Sequence, residues 1–243
     1  MNKYFDVCLE FDHSKLIETI ERSIREKSKG YMCVVDINIL ATAQKDQEFR
    51  KIVNSAVVNT CDGSSVAILA GWVHKSKFLP FNGPELFSMY IEKPYKHLLL
   101  GNTTEVKDKI IASLSGKNIS IDDVMTMELP FCKIDQFDFP GIAKEIGKLD
   151  PDIIWVSLGA PKQEAFMSRL VPYLNSGFLI GIGAAFSFYT GDLSIPKIKI
   201  GNLKLIWLSR IFADPSKSIK RIYKALLVLP GMIIRERRLV KHH

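Results

Sequence analysis

The chain has 243 residues, 47% of them hydrophobic and 24% charged. That is enough length and apolar content to bury a large core, and it excludes a disordered chain. Its four cysteines (Cys8, Cys33, Cys61, Cys132) lie far apart, with no CxxC pair and no histidine at ligand spacing, which excludes a disulfide scaffold or zinc module and predicts reduced thiols in a cytosolic setting. The formal charge of +7 is unevenly spread: residues 197–243 hold twelve Lys or Arg against Asp214 and Glu236, a net +10, which leaves −3 for the first 196 residues.

In chain order, short apolar runs rich in β-branched or aromatic residues alternate with amphipathic segments. This is the pattern of a parallel sheet wrapped by helices. Strands are predicted at residues 4–11 (YFDVCLEF), 31–37 (YMCVVDI), 56–60 (AVVNT), 97–101 (HLLLG), 153–159 (IIWVSLG) and 178–183 (FLIGIG), with another near 118–121 (NISI). Ser14 is placed to cap a helix whose Leu16, Ile17, Ile20 and Ile24 share a face. Thr103 or Thr104 caps a second, and residues 140–148 and 163–170 read as two more. No positively charged, then apolar, leader pattern opens the chain.

After Pro196 the pattern changes. From Leu203 onward no strand signal appears, and residues 203–212, 216–229 and 231–241 read as three helices punctuated by Pro215 and Pro230-Gly231. In the middle one, Ile219, Ile222, Tyr223 and Leu226 share a face flanked by Lys217, Lys220, Arg221 and Lys224. Such a face suits either an anionic membrane surface or packing on the rest of the chain. The longest uncharged apolar runs, residues 178–190 and 225–234, fall short of the ~20 residues a spanning helix needs. The expected organisation is therefore a doubly wound α/β domain over residues 1–196 with a basic helical appendage over residues 197–243.

In a doubly wound sheet ligands bind at the carboxyl ends of the strands, and three clusters fall there. In residues 60–69 (TCDGSSVAIL), Asp62 follows a strand and Gly63 permits a turn into an apolar helix; the carboxylate is either a general base or a helix cap. In residues 157–170 (SLGAPKQEAFMSRL), a turn at Gly159 and Pro161 leads into a helix beginning at Lys162, Gln163 and Glu164. Its cation, amide and free backbone N–H groups suit a nucleotide, and a capped surface turn is the other reading. In residues 181–196 (GIGAAFSFYTGDLSIP), Gly181 and Gly183 followed by Ala184 let a ligand approach the backbone. Phe186 stands at the third position of a dinucleotide fingerprint and no acidic residue follows at the right distance, so a nicotinamide or flavin enzyme is not expected. A fourth cluster, Arg210, Asp214-Pro215, Arg221 and Tyr223, supplies arginines suited to a pyrophosphate.

The Asp150-Pro151-Asp152 run precedes its strand and so belongs to the wrong end of the sheet for a metal-bound sugar nucleotide. No phosphate loop, serine elbow or nucleic-acid-binding motif is present.

Taken as an ordered series, Asp62-Gly63, the GAPKQE run from Gly159 to Glu164, the GIGAAF run from Gly181 to Phe186, Gly191, Pro196, Trp207, Arg210, Asp214-Pro215 and Arg221-Ile222-Tyr223 resemble the WecG/TagA/CpsF glycosyltransferases of bacterial surface-polymer synthesis. The resemblance implies a Rossmann-like core, transfer of a hexosamine or related sugar from a UDP-sugar to a polyprenyl-diphosphate-linked sugar with inversion, and no metal or other cofactor. It also implies peripheral attachment to the inner face of the cell membrane, with a homo-oligomer as one open arrangement. On this reading Asp62, with Asp36 as second carboxylate, does the chemistry. Asn38, Gly63, Gly159, Lys162, Gln163, Glu164, Gly181, Gly183, Ala184, Phe186, Arg210 and Arg221 line the substrates. The chain departs from the family pattern at Asp36, Pro80 and Ser187, where a threonine, an arginine and an aspartate are usual. Those departures bear on sugar specificity and leave open a non-catalytic member that binds a sugar nucleotide or scaffolds a synthesis complex.

Overall fold

The computed structural model describes residues 1–117, 121–192, 199–200, 203–204 and 215–241. The chain opens with β1 (Asn2–Tyr4) and β2 (Val7–Leu9), an antiparallel hairpin. The single strand expected over residues 4–11 is thus broken at Phe5 and Asp6, which take φ of 54° and 62°. Two successive left-handed residues make the tight turn whose twist suits a two-residue hairpin. Phe5 is buried, and its packing compensates a conformation that its type disfavours.

Next come α1 (His13–Arg25), β3 (Gly30–Val35), α2 (Ile37–Lys45), α3 (Gln47–Asn54), β4 (Val58–Cys61), α4 (Ser64–His74), α5 (Gly83–Ile91), β5 (His97–Gly101), α6 (Thr104–Gly116), β6 (Val124–Met127), α7 (Phe139–Leu149), β7 (Ile153–Ser157), α8 (Lys162–Leu170), β8 (Phe178–Gly181) and α9 (Ala185–Tyr189). The cap of α1 is Asp12 and not Ser14: the Asp12 carboxylate accepts from Ser14 N and Lys15 N at 3.0 and 3.2 Å, so Ser14 lies inside the first turn. The strand sought near residues 118–121 lies at β6, with residues 118–120 outside the described residues.

Six strands form one parallel sheet in the order β4-β3-β8-β7-β5-β6. Both faces are covered, as all-parallel sheets require. One cluster joins α2, α3, α4, α7 and α8 through residues such as Leu40, Phe49, Ala70, Ile146 and Phe166. The other joins α1, α5, α6 and α9 through Leu16, Phe87, Ile110 and Phe186, packed over Trp155. The chain leaves β3 toward the first face through α2 and leaves β8 toward the second through α9. The two neighbouring strands therefore part at their carboxyl ends, and a crevice opens between them.

Asn59 ties the hairpin to this sheet. It is fully buried, and its amide donates to Cys8 O and Val53 O while accepting from Cys33 N, so it links β2, α3 and β3 at once.

The tail differs from the sequence expectation in two ways. Lys199–Ile200 (β9) and Leu203–Lys204 (β10) pair as a small hairpin at the edge of a region expected to be helical, most of which lies outside the described residues. Residues 215–241 form one helix, α10 (Pro215–Lys241), that passes through Pro230-Gly231 without a break. Leu226, whose carbonyl loses its partner at Pro230, and Pro230 itself are both exposed, so water can satisfy that carbonyl. The helix rests on α2 and α4. Ala225, Met232 and Glu236 are buried, Glu236 Oε1 meets His74 Nε2 at 2.9 Å, Arg235 donates to Asp6, and Arg237 stacks 3.7 Å from the Trp72 ring centroid. Among the described residues no helix is long and apolar enough to cross a membrane.

Replacing Asn59 by Ala removes the partner of the buried Cys33 N–H and of the half-buried Cys8 carbonyl, whereas Val53 O keeps Ala56 N at 3.3 Å. The expected cost is roughly 2–4 kcal/mol, read as a lower urea midpoint at unchanged slope.

Candidate active site

Register sets the site before any side chain does. Val35 of β3 pairs with Cys61 of β4, so Asp36 and Asp62 leave the sheet side by side. On the other side of β3, Gly181 of β8 pairs with Cys33, and it also pairs with Val156 of β7. The turns after β4, β3, β8 and β7 therefore meet along one edge of the sheet. Three of the clusters singled out in the sequence come together there.

The turn after β8 is clamped from both sides. Gly183, at φ 54°, donates its N–H to Gln163 Oε1 at 3.1 Å, and its carbonyl accepts from Ser157 Oγ at 2.6 Å. Gln163 reaches this position because residue 181 has no side chain: a Cβ there would stand 2.6 Å from Met167 Cε and 3.0 Å from Gln163 Nε2. Gly181 and Gln163 are thus two halves of one packing solution, which the separate motifs do not reveal. Ser157 was not singled out in the sequence. Its signal is that a hydroxyl closes an otherwise apolar strand at the carboxyl edge.

Three carboxyl groups surround this turn in different states. Asp62 is half-buried, and its Oδ1 accepts from Gly83 N at 2.9 Å. It therefore anchors the start of α5, while α4, whose N-cap is Gly63, has no side-chain cap. Asp36 caps α2 through Ile39 N at 2.8 Å. Glu164 is completely buried, with one oxygen on Gln163 Nε2 at 2.9 Å. Burial, and to a lesser degree the neighbouring Asp36 charge, push its carboxyl from 4.5 up to about 7. Beneath them the Cys33 and Cys61 thiols are buried and their titration is driven upward by desolvation, Cys61 to about 12. Both thus stay neutral and are poor nucleophiles.

Other expected site residues occupy varied places. Gly159 takes φ 75° in the turn from β7 to α8. Asn38 lies half-buried in the first turn of α2, and its carbonyl accepts from Thr42 Oγ1. Lys162 is engaged elsewhere: Nζ donates to Cys132 O at 2.6 Å and lies 4.9 Å from the Phe137 ring centroid, which straps α8 to the segment after β6. Ala184 is half-buried at the head of α9, whereas Phe186 is core, edge-on to Phe87. Pro80 and Ser187 are both half-buried. Arg210 lies outside the described residues, as does the side chain of Arg221 in α10. Asp152 accepts from Lys96 N at the amino end of β7, away from this edge. Among the described residues no three His, Cys, Asp or Glu are grouped to hold a metal ion.

A doubly wound parallel sheet with a glycine turn and carboxylates at its carboxyl edge defines an α/β protein whose crevice lies at the strands' carboxyl ends. The chain belongs to the glycosyl transferase WecG/TagA/CpsF family, whose model matches residues 6–242, and it is accordingly a glycosyltransferase. It is similar to the N-acetylglucosaminyldiphosphoundecaprenol N-acetyl-beta-D-mannosaminyltransferase of Bacillus subtilis (strain 168), at 23% identity over 226 residues, covering 89% of this chain and 83% of that protein. It is also similar to the protein of the same name from Bacillus spizizenii (strain ATCC 23059 / NRRL B-14472 / W23), at 19% identity over 237 residues, covering 93% and 87%.

The raised Glu164 carboxyl has a signed consequence. Its proton is held more tightly in the folded state, so its stabilising contribution is full below pH 4.5 and is lost as pH rises through about 7. Glu164→Gln should therefore unfold at higher urea than the parent above pH 8, by on the order of 3 kcal/mol, with the two converging near pH 5. Asp36→Asn, which keeps the oxygen that caps α2, should move the midpoint of that dependence to lower pH.

Proposed function

We propose that this glycosyltransferase moves a hexosamine or related sugar from a UDP-sugar to a polyprenyl-diphosphate-linked N-acetylglucosamine, with inversion, in the synthesis of a cell-surface polymer such as teichoic acid. The observation that carries the reading is the Asp62 carboxylate, set at the carboxyl edge of the sheet with one oxygen fixed by Gly83 N–H. A base so held keeps its orientation without spending substrate binding on it. In the proposed reaction Asp62 takes the proton of the acceptor hydroxyl, and that oxygen attacks the anomeric carbon. The bond to the diphosphate breaks on the opposite face and UDP leaves.

The positive ends of α4 and α8, whose N-cap residues Gly63 and Pro161 supply no capping side chain, and the turn of Gly181 and Gly183 suit the diphosphate. No metal is needed in this scheme. The acceptor class is supported by the names of the two Bacillus relatives. The donor is our inference, and Asp36 and Pro80, standing where the family usually has threonine and arginine, are the residues to which we assign any difference in sugar.

The tail fits the same reading. The first half of α10 exposes Ile219, Ile222, Tyr223, Leu226 and Leu227 within the stretch that carries the net positive charge. Attraction to an anionic leaflet is worth about 1 kcal/mol per basic residue, so the inner membrane face is the proposed place of work.

With polyprenyl-diphosphate-linked GlcNAc and a panel of UDP-sugars, acceptor-dependent UDP release from one donor is expected. Asp62→Asn keeps the oxygen that Gly83 needs while removing the base, and should lower kcat by ~10²–10⁴-fold with an unchanged urea midpoint. UDP binding without turnover on any such acceptor would favour a non-catalytic sugar-nucleotide-binding member instead. The protein should sediment with anionic vesicles at low salt and be released at high salt; salt-insensitive binding would assign the attachment to apolar insertion.

A further inference from the structure

Glu164 is poorly explained by substrate contact. It is completely buried, and while its Oε1 accepts from Gln163, its Oε2 has no hydrogen-bond partner. A dry, unpartnered carboxyl oxygen costs stability, and glutamine or an apolar residue would cost less at this position. The Glu164 backbone N–H also helps to hold the carboxyl, but the bond from Gln163 is the one that carries information. An amide can be turned either way, but the Gly183 N–H can only donate, and Glu164 Oε1 accepts both as a carboxylate and as a neutral acid with its proton on Oε2. The two partners together leave one orientation for Gln163, with oxygen toward Gly183 at 3.1 Å and nitrogen toward Glu164 at 2.9 Å. The bare backbone of Gly181 packs against the same amide nitrogen.

We propose that Glu164 is a positioning residue: by accepting from Gln163 it fixes the amide that holds the Gly183 N–H, and so sets the shape of the Gly181–Gly183 turn. The positioning is a property of the free protein. Its consequence for the donor rests on the reading above, in which this turn receives the diphosphate. The titratable groups acting on Glu164 across the packing are Asp36 at the head of α2 and Cys33 in β3, and neither brings positive charge. Lys162, its neighbour on α8, is committed to Cys132 O.

The test compares the full-length parent with Glu164→Ala and Glu164→Gln. Hydrogen exchange of the Gly183 amide is followed by NMR without ligand, and UDP binding by calorimetry, both at pH 6. Loss of the acceptor should speed Gly183 exchange and weaken UDP binding by about tenfold each, the equivalent of one hydrogen bond. Glu164→Gln retains an acceptor oxygen and should restore both to within roughly twofold. Should the alanine variant not fold, Glu164→Leu fills the volume without an acceptor and takes its place.

Parent-like Gly183 protection in the acceptor-less variant overturns the positioning role, and so does a glutamine variant as impaired as alanine. Faster Gly183 exchange with UDP binding unchanged supports the positioning and counts against the turn as part of the donor site. The two readings therefore fail separately.

Discussion

The hydrogen bond from Gly183 N–H to Gln163 is the contact on which the crevice depends. A parallel sheet delivers every strand end to one edge but leaves the turns there without sheet partners. Here one amide joins the turn after β8 to the start of α8, and Ser157 closes the carbonyl of the same glycine from the end of β7. The turn is thus held at both its donor and its acceptor. A Cβ at position 181 would crowd Met167 and the Gln163 amide, at 2.6 and 3.0 Å, so the small residue and the long amide are fitted to each other.

Around that clamp, three carboxyl groups of similar intrinsic chemistry are differentiated by their surroundings. Asp62 keeps contact with solvent and spends one oxygen on the head of α5. Asp36 does the same for α2. Glu164 loses solvent altogether, and its proton is held up to about pH 7. Burial in a low-dielectric interior, which penalises the charged form, is what sets Glu164 apart. The fold alone does not choose an activity; the family match, which spans nearly the whole chain, makes this protein a glycosyltransferase.

The C-terminal helix is joined to the same framework. It packs on α2 and α4, the helices that begin beside Asp36 and Asp62, through Ala225, Met232 and the contact of buried Glu236 with half-buried His74. Its amino-terminal half leaves large apolar side chains exposed. The element with most of the positive charge is therefore seated on the elements that present the carboxylates.

Sequence alone determined the architecture, because period and composition are local properties. Buried parallel strands are continuous apolar runs, so residues 97–101 became β5 and residues 153–157 and 178–181 the strands on which the crevice is built. The turn chemistry of Gly159 and Gly183 was legible for the same reason. What sequence could not decide were competitions settled by tertiary contact. A buried Phe5 accepted a left-handed turn and split the first strand, and packing on α2 and α4 carried α10 through Pro230. Most of the site's logic is of this second kind. Asp62 reaches across 21 residues to the Gly83 N–H at the start of the helix that Asn82 caps, and Lys162 is drawn off to Cys132. The fit of Gln163 to Gly181 exists only once β8 lies beside α8, because each partner is an ordinary residue until the other stands against it.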